Sequence, residues 1–167
     1  QGELDSYSLF IEMSVGLLKT RGIYGVIVPD TWLTIINAHN LRRWLLTNFS
    51  LQRLIGLNES VFGQATVDPL IMILENRKPL KNHKVETSII PKKEKIEDLS
   101  SLANHMTHLQ AAWLSSDVAQ IKMYSSSDSS SIMDKLRSGT ANLTDLVDYR
   151  AGCKPYEAGK GTPPQSL

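Results

Sequence analysis

His105 and His108 stand three residues apart, a spacing that on a helix would put two imidazoles on one face within reach of a shared metal ion. No third ligand follows at suitable spacing, and the plainer reading is a solvated helix face. Three carboxylates, Asp5, Asp30 and Glu59, are of the type that acid–base catalysis uses. Asp5 is equally well explained by a helix start and Asp30 by a strand-ending turn, and nothing pairs a nucleophile with a base. Gly159-Lys160-Gly161 has the flavour of a phosphate loop. However, Gly152 is too far upstream and Gly161 stands where Ser or Thr is required. No Gly-x-Gly-x-x-Gly opens a helix. Cys153 is the only cysteine, which excludes an intrachain disulfide and a multi-cysteine metal site. The remaining candidate is Phe62, beside Gly63 in the segment Gly56–Asp68 that joins two strand-like runs. It either folds back onto the core or forms an aromatic platform at the sheet's edge, able to stack on a planar ligand.

The elements that must position such residues are organised around Ile23–Val28, an apolar, largely β-branched run without alternation, stopped by Pro29 and Asp30. A short run apolar on both faces predicts a strand covered on each side, as in a parallel α/β sheet. Upstream, Leu4 to Lys19 places Leu4, Tyr7, Phe10, Ile11, Ser14, Leu17 and Leu18 near one helical face, with Gly22 as the residue that ends the helix. Downstream, a helix over His39–Asn48 buries Leu41, Trp44 and Leu45 and turns Arg42 and Arg43 to water. Leu51–Leu57 and Asp68–Glu75 are strands, and Pro69 is tolerated near the start of the second. Only about ten residues separate them, too few for a crossover helix, so they should pair antiparallel.

Further on, Lys84–Ile90 reads as an extra strand and Glu97–Ser115 as helix-prone, with Leu99, Leu102, Met106, Leu109 and Trp113 as its apolar set. Val118–Tyr124 looks strand-like, Ser125–Ser131 is a loop, and Ser131–Leu136 starts a helix ending around Gly139. Residues 150–165 are rich in Gly and Pro and read as turns. The expected domain plan is 1–90, a connector with helices over 91–141, and a new domain beginning at 142–167.

Composition leaves the class open: 41% apolar, 21% charged and a net charge of +1 are ordinary for a globular protein. Arg77, Lys78, Lys81, Lys84, Lys92, Lys93 and Lys95 are locally dense, and read either as a solvated linker and edge strand or as a phosphate-binding surface. No apolar run approaches the ~18 residues of a membrane span, and nothing resembles a signal peptide. The chain starts at Gln1 without a methionine and stops in a turn-like sequence, so it is expected to be part of a longer protein.

Four stretches, in unbroken order, resemble one family: Leu4–Glu12, Leu17–Leu33 with Val28-Pro-Asp-Thr-Trp-Leu33, Leu41–Leu46, and Val61-Phe-Gly-Gln-Ala-Thr-Val-Asp-Pro-Leu-Ile-Met-Ile-Leu74. The chain looks like the TaqI-like, gamma-type adenine-N6 DNA methyltransferases, especially the large bacterial enzymes that join restriction and modification in one chain. The likeness is strong over about the first 76 residues, and Leu143–Gly161 looks like the entry to that family's specificity domain.

The resemblance implies an α/β fold: a partial Rossmann-like methyltransferase sheet holding the last three strands, one reversed, followed by a helical connector. It implies that the parent transfers a methyl group from S-adenosylmethionine to adenine N6 in duplex DNA, in the bacterial cytoplasm. Phe62 would stack on the adenine, which must be flipped out because its N6 lies inside the base pair. The family's Asn/Asp-Pro-Pro-Tyr/Phe motif is not here, since Pro163-Pro164 is preceded by Thr162 and followed by Gln165. That motif is expected upstream of Gln1. The glycine-rich cofactor loop is absent too. The chain itself is therefore expected to be inactive, with no catalytic, cofactor or metal residues of its own and no bound S-adenosylmethionine. It is also expected to self-associate through an exposed sheet edge at Ile23–Val28. The rival reading is a non-catalytic interaction or structural α/β module.

Overall fold

The computed structural model describes residues 5–57, 68–90 and 105–123, and beyond these 132, 135–136, 138–141 and 143–148. The chain divides into two compact units, 1–126 and 127–167. In the second, Ile132, Lys135 and Leu136 are helical, as expected for a helix starting at Ser131, and α4 (Leu143–Leu146) forms a further turn with Leu143 and Leu146 exposed.

The first unit is built on one sheet. β1 (Ile23–Pro29), β2 (Ser50–Gly56), β3 (Pro69–Glu75), β4 (Lys84–Ile89) and β5 (His105–Leu109) lie in the order β1-β3-β2-β4-β5. β3 is antiparallel to both β1 and β2, β4 is parallel to β2, and β5 is antiparallel to β4. The α/β class, the antiparallel β2–β3 pair and the reversed strand thus follow the sequence expectation. Pro69 opens β3 opposite Pro29, where a missing N–H costs least.

β1 corrects one expectation. It is not covered on both faces: Val28 is buried, but Ile23 and Ile27 are 60% and 51% exposed. Its partner β3 is antiparallel, and no strand lies on its other side among the described residues. The ladder is bounded by Asp30 N–H to the Asp68 carbonyl and Asn76 N–H to the Gly22 carbonyl. By the alternation of an antiparallel pair, Ile23, Gly25 and Ile27 therefore point their backbone groups away from β3. A continuous β-branched run reports strand propensity, not how many sides are covered.

The main core lies on one face of the sheet, and a smaller buried cluster of Ile55, Leu57 and Ile90, with Ile71 against it, lies on the other. α1 (Ser6–Gly16) contributes Ile11 and Val15, and α2 (His39–Asn48) contributes Leu45 and Leu46, packed on Leu54, Met72 and Val85. Phe10 and Leu17, expected on the inward face of α1, are exposed together with Leu9 and Met13. This helix is apolar on both sides, so its spacing alone could not choose between them. Nor does Gly22 end it: α1 stops at Gly16, and the left-handed residue in the turn is Arg21, at φ 61°. Gly22 is needed for a different reason, because a Cβ there would sit 2.9 Å from the Lys19 carbonyl oxygen.

Two later expectations also change. Against the helix expected across Glu97–Ser115, residues 105–109 form β5, and among the described residues of that span only Gln110–Trp113 is helical, as α3. Tertiary contacts override the helical spacing: β5 pairs with β4, and Gln110 is buried as a staple. Its amide donates to the Leu46 and Phe49 carbonyls, while its oxygen accepts the Leu51 N–H. Of the expected strand Val118–Tyr124, the described residues 118–123 bury Ala119, Ile121 and Met123 in alternation, yet join no ladder. Ala119 at φ 48° breaks the extended backbone, and Ile121 N–H bonds to the Leu33 carbonyl instead.

Candidate functional site

Because β1, β2 and β4 run parallel to one another, their carboxyl ends share one edge, the edge where open α/β sheets hold ligands. Three backbone bonds tie that edge together: Asp30 N–H to the Asp68 carbonyl at 2.9 Å, Leu57 N–H to the Pro69 carbonyl at 2.8 Å, and Ile90 N–H to the Gly56 carbonyl at 3.0 Å. Both ends of the segment that carries Phe62 are therefore anchored here, at Leu57 and Asp68. Phe62 and Glu59 themselves lie outside the described residues, as do Cys153 and Gly159–Gly161.

Two elements bring polar side chains to this edge. A 3-10 turn, Asp30–Leu33, follows β1, and the start of α1 brings Asp5 and Tyr7 beside Thr31. The Tyr7 hydroxyl is buried, and burial pushes its pKa up, with the Thr31 side chain opposing. The Asp30 carboxyl is also raised, by burial first and then by the negative charge of Asp68. Ionisation of Asp30 therefore opposes folding. The sign follows: between the ordinary carboxylate pKa and the raised one, the folded state binds more protons and stability falls as pH rises. Asp30→Asn is expected to raise the thermal midpoint at pH 7, with the gain disappearing as pH drops below the usual carboxylate range. A melt series from pH 3 to 8 checks this; a gain that grows on acidification would contradict it.

The two histidines do not come together. On β5 a three-residue spacing places them on opposite faces. His105 bonds to the Ser88 hydroxyl at 2.9 Å. His108 bonds to the Thr87 hydroxyl at 3.0 Å, stacks at 5.5 Å on Trp113, and has its pKa lowered by burial against an opposing bond to the Met123 backbone. No group of three or more potential metal ligands exists among the described residues.

Sequence reasoning missed Arg42, which packs directly behind this edge. Expected in water, it is fully buried and donates to the carbonyls of Trp32, Ile35, Val118 and Ala119. It thereby fixes the segment that follows β1. Its neighbour Arg43 is exposed and caps the Ser116 and Asp117 carbonyls. The signal was present: Arg42 precedes the buried Leu45 and Leu46 by three and four residues, so the helical period itself placed it inward. Asp68, Tyr7 and Thr31 lay within the stretches that carry the resemblance but were not singled out as site residues, and only the topology brings them to one edge.

Residues 1–62 match the family described as Eco57I restriction-modification methylase. A type II restriction enzyme and methyltransferase of Methanocaldococcus jannaschii is 39% identical over 93 residues, which are 56% of this chain and 8% of that protein. The type II restriction enzyme and methyltransferase RM.Eco57I of Escherichia coli is 33% identical over 73 residues, 43% of this chain and 7% of that protein. The chain thus matches under a tenth of the length of these relatives. Among solved structures, the type IIG restriction endonuclease BpuSI superposes with a TM-score of 0.53 at 18% identity, over 87% of this chain and 18% of that one. That likeness concerns the fold alone. Among the described residues no helix is long and apolar enough to cross a membrane.

Proposed function

We propose that this chain is a segment of a bacterial, cytoplasmic restriction–modification protein, and that the whole protein transfers a methyl group from S-adenosylmethionine to adenine N6 in duplex DNA. The observation that carries the reading is the carboxyl edge. Parallel strand ends, the start of α1 and both anchors of the Phe62 segment meet there, and residues 1–62, which supply α1, β1, β2 and the Leu57 anchor, match the restriction–modification methylase family. In this reading residues 1–90 belong to the catalytic domain. Residues 91–141 are the connector, of which β5 and α3 belong to the sheet unit, and 142–167 begin the specificity domain. Phe62 stacks on the extruded adenine.

The described residues do not themselves suit the cofactor. No glycine-rich loop of the kind that cradles such a cofactor is present in the sequence. The rest of that site belongs to the whole protein. The test is to express the full-length reading frame and incubate it with S-adenosylmethionine and duplex DNA. N6-methyladenine in the product supports the proposal; a folded, soluble protein that leaves adenine unmodified on a diverse DNA library overturns it. A non-catalytic interaction module is the second reading, favoured by the outer face of α1, where Phe10 and Met13 are 58% and 73% exposed.

The free edge of β1 leads to a further expectation for the isolated chain. Outward backbone groups at Ile23, Gly25 and Ile27, flanked by exposed isoleucine side chains, form a template for strand pairing. The chain alone should self-associate with increasing concentration, and a proline at Ile27 should weaken this. Light scattering showing a monomer at millimolar concentration, with slow-exchanging β1 amides, would contradict the idea.

A further inference from the structure

We propose that the opposite, amino edge of the sheet is a second DNA contact, one that grips the phosphate backbone of a duplex without reading its sequence. The turn between α1 and β1, the start of β2 and the loop between β3 and β4 converge there. Arg21 N–H bonds to the Asn76 carbonyl, and Asn76 N–H to the Gly22 carbonyl, each at 2.9 Å. The Asn76 amide donates to the carbonyls of Leu18 and Lys19. Ser50 donates to the Arg77 carbonyl at 3.0 Å, and the His83 ring donates to the Leu51 carbonyl at 2.6 Å. The loop is thus fastened at both ends to its neighbours.

This convergence gathers Lys19, Arg21, Arg77, Lys78, Lys81 and Lys84, all exposed. Glu75 is the sole acid in these segments and is paired with Arg21 at 3.4 Å and Arg77 at 3.5 Å. The four lysines have no ion-pair partner among the described residues. Since the whole chain carries only +1, the concentration is a matter of placement and not of overall composition. A run of charge on a loose loop is ordinarily just solvated. Here three segments are pinned together despite mutual repulsion, so the ordering cost of binding a polyanion has already been met in folding. Strands of seven residues at ~3.3 Å per residue separate this edge from the carboxyl edge by about 20 Å. The patch therefore meets DNA other than the stretch lying across the carboxyl edge.

The choice of duplex DNA among polyanions rests on the methyltransferase reading, but the test needs no methylation, so the two can fail separately. Fluorescence anisotropy with this chain and a labelled duplex of arbitrary sequence should show binding that weakens on the order of a hundredfold between 50 and 200 mM salt, as about four phosphate contacts require. The exposed-loop variant Lys78→Glu/Lys81→Glu should bind at least tenfold more weakly, with a salt dependence shallower by about two contacts. Lys122→Glu, exposed on another part of the unit, should lose far less than Lys81→Glu. Equal losses from Lys81→Glu and Lys122→Glu would overturn the proposal, as would no binding at 50 mM salt. So would displacement of the duplex by polyglutamate as effectively as by unlabelled DNA, which would identify an acidic protein as the partner.

Discussion

Arg42→Met is expected to destabilise the sheet unit by about 3 kcal/mol or more, although the replacement fills much of the same volume. The arginine is wholly buried, and its guanidinium satisfies the carbonyls of Trp32, Ile35, Val118 and Ala119. Each buried acceptor left unpaired costs about 1–3 kcal/mol. Against this stands a gain, because a buried charge that had to be desolvated is removed, and that term is several kcal/mol. Four orphaned carbonyls outweigh it. Burial lowers the arginine's pKa, with the Tyr7 side chain opposing, yet a guanidinium stays protonated throughout the working range. At about 2–4 °C per kcal/mol for a chain of this size, the thermal midpoint should fall by roughly 10 °C. Arg42→Lys keeps the charge but not the planar fork that reaches both segments, and should lie between the two. Urea titration measures all three. If Arg42→Met unfolds within about 0.5 kcal/mol of the unaltered protein, a range normal for surface changes, the carbonyls have other partners and this account is wrong.

The same residue shows where sequence reading stops. β2 and β3 were legible because apolar runs bounded by turn residues have few alternatives, and their short separation allowed only an antiparallel pair. α2 was legible in extent, but residue type overruled position: arginine was assigned to water although the helical period put it inward. α1 failed in the opposite way, since a helix apolar all round gives its period nothing to discriminate. β5 was illegible locally. His105–Leu109 becomes a strand because β4 offers an unpaired side and Gln110 locks the following turn, facts that reside in distant residues. The candidate site followed the same division. The Phe62 segment was found through resemblance and through its place between two strands. The pairing of Asp30 with Asp68 depended on register, which no local pattern encodes.

Phe62 provides the sharpest test of the functional reading, in the full-length protein. If its ring stacks on an extruded adenine, Phe62→Ala removes base–aromatic stacking worth about 1–3 kcal/mol. Since about 1.4 kcal/mol is tenfold in rate, methylation should fall roughly ten- to hundredfold. Phe62→Trp should keep most of the activity, because the aromatic face survives. Affinity for S-adenosylmethionine should be unchanged in both, because the ring meets the base and not the methyl donor. A phenylalanine folded onto the core behaves otherwise: its truncation costs about 3–5 kcal/mol of folding stability, and tryptophan there overpacks. The anchoring of the segment at Leu57 and Asp68, at the edge where strand ends converge, favours the stacking role. Thermal midpoint and methylation rate, measured on the same two variants, separate the alternatives. An early-melting Phe62→Ala whose folded fraction methylates at the normal rate would make Phe62 a core residue and leave the adenine to be held by another group.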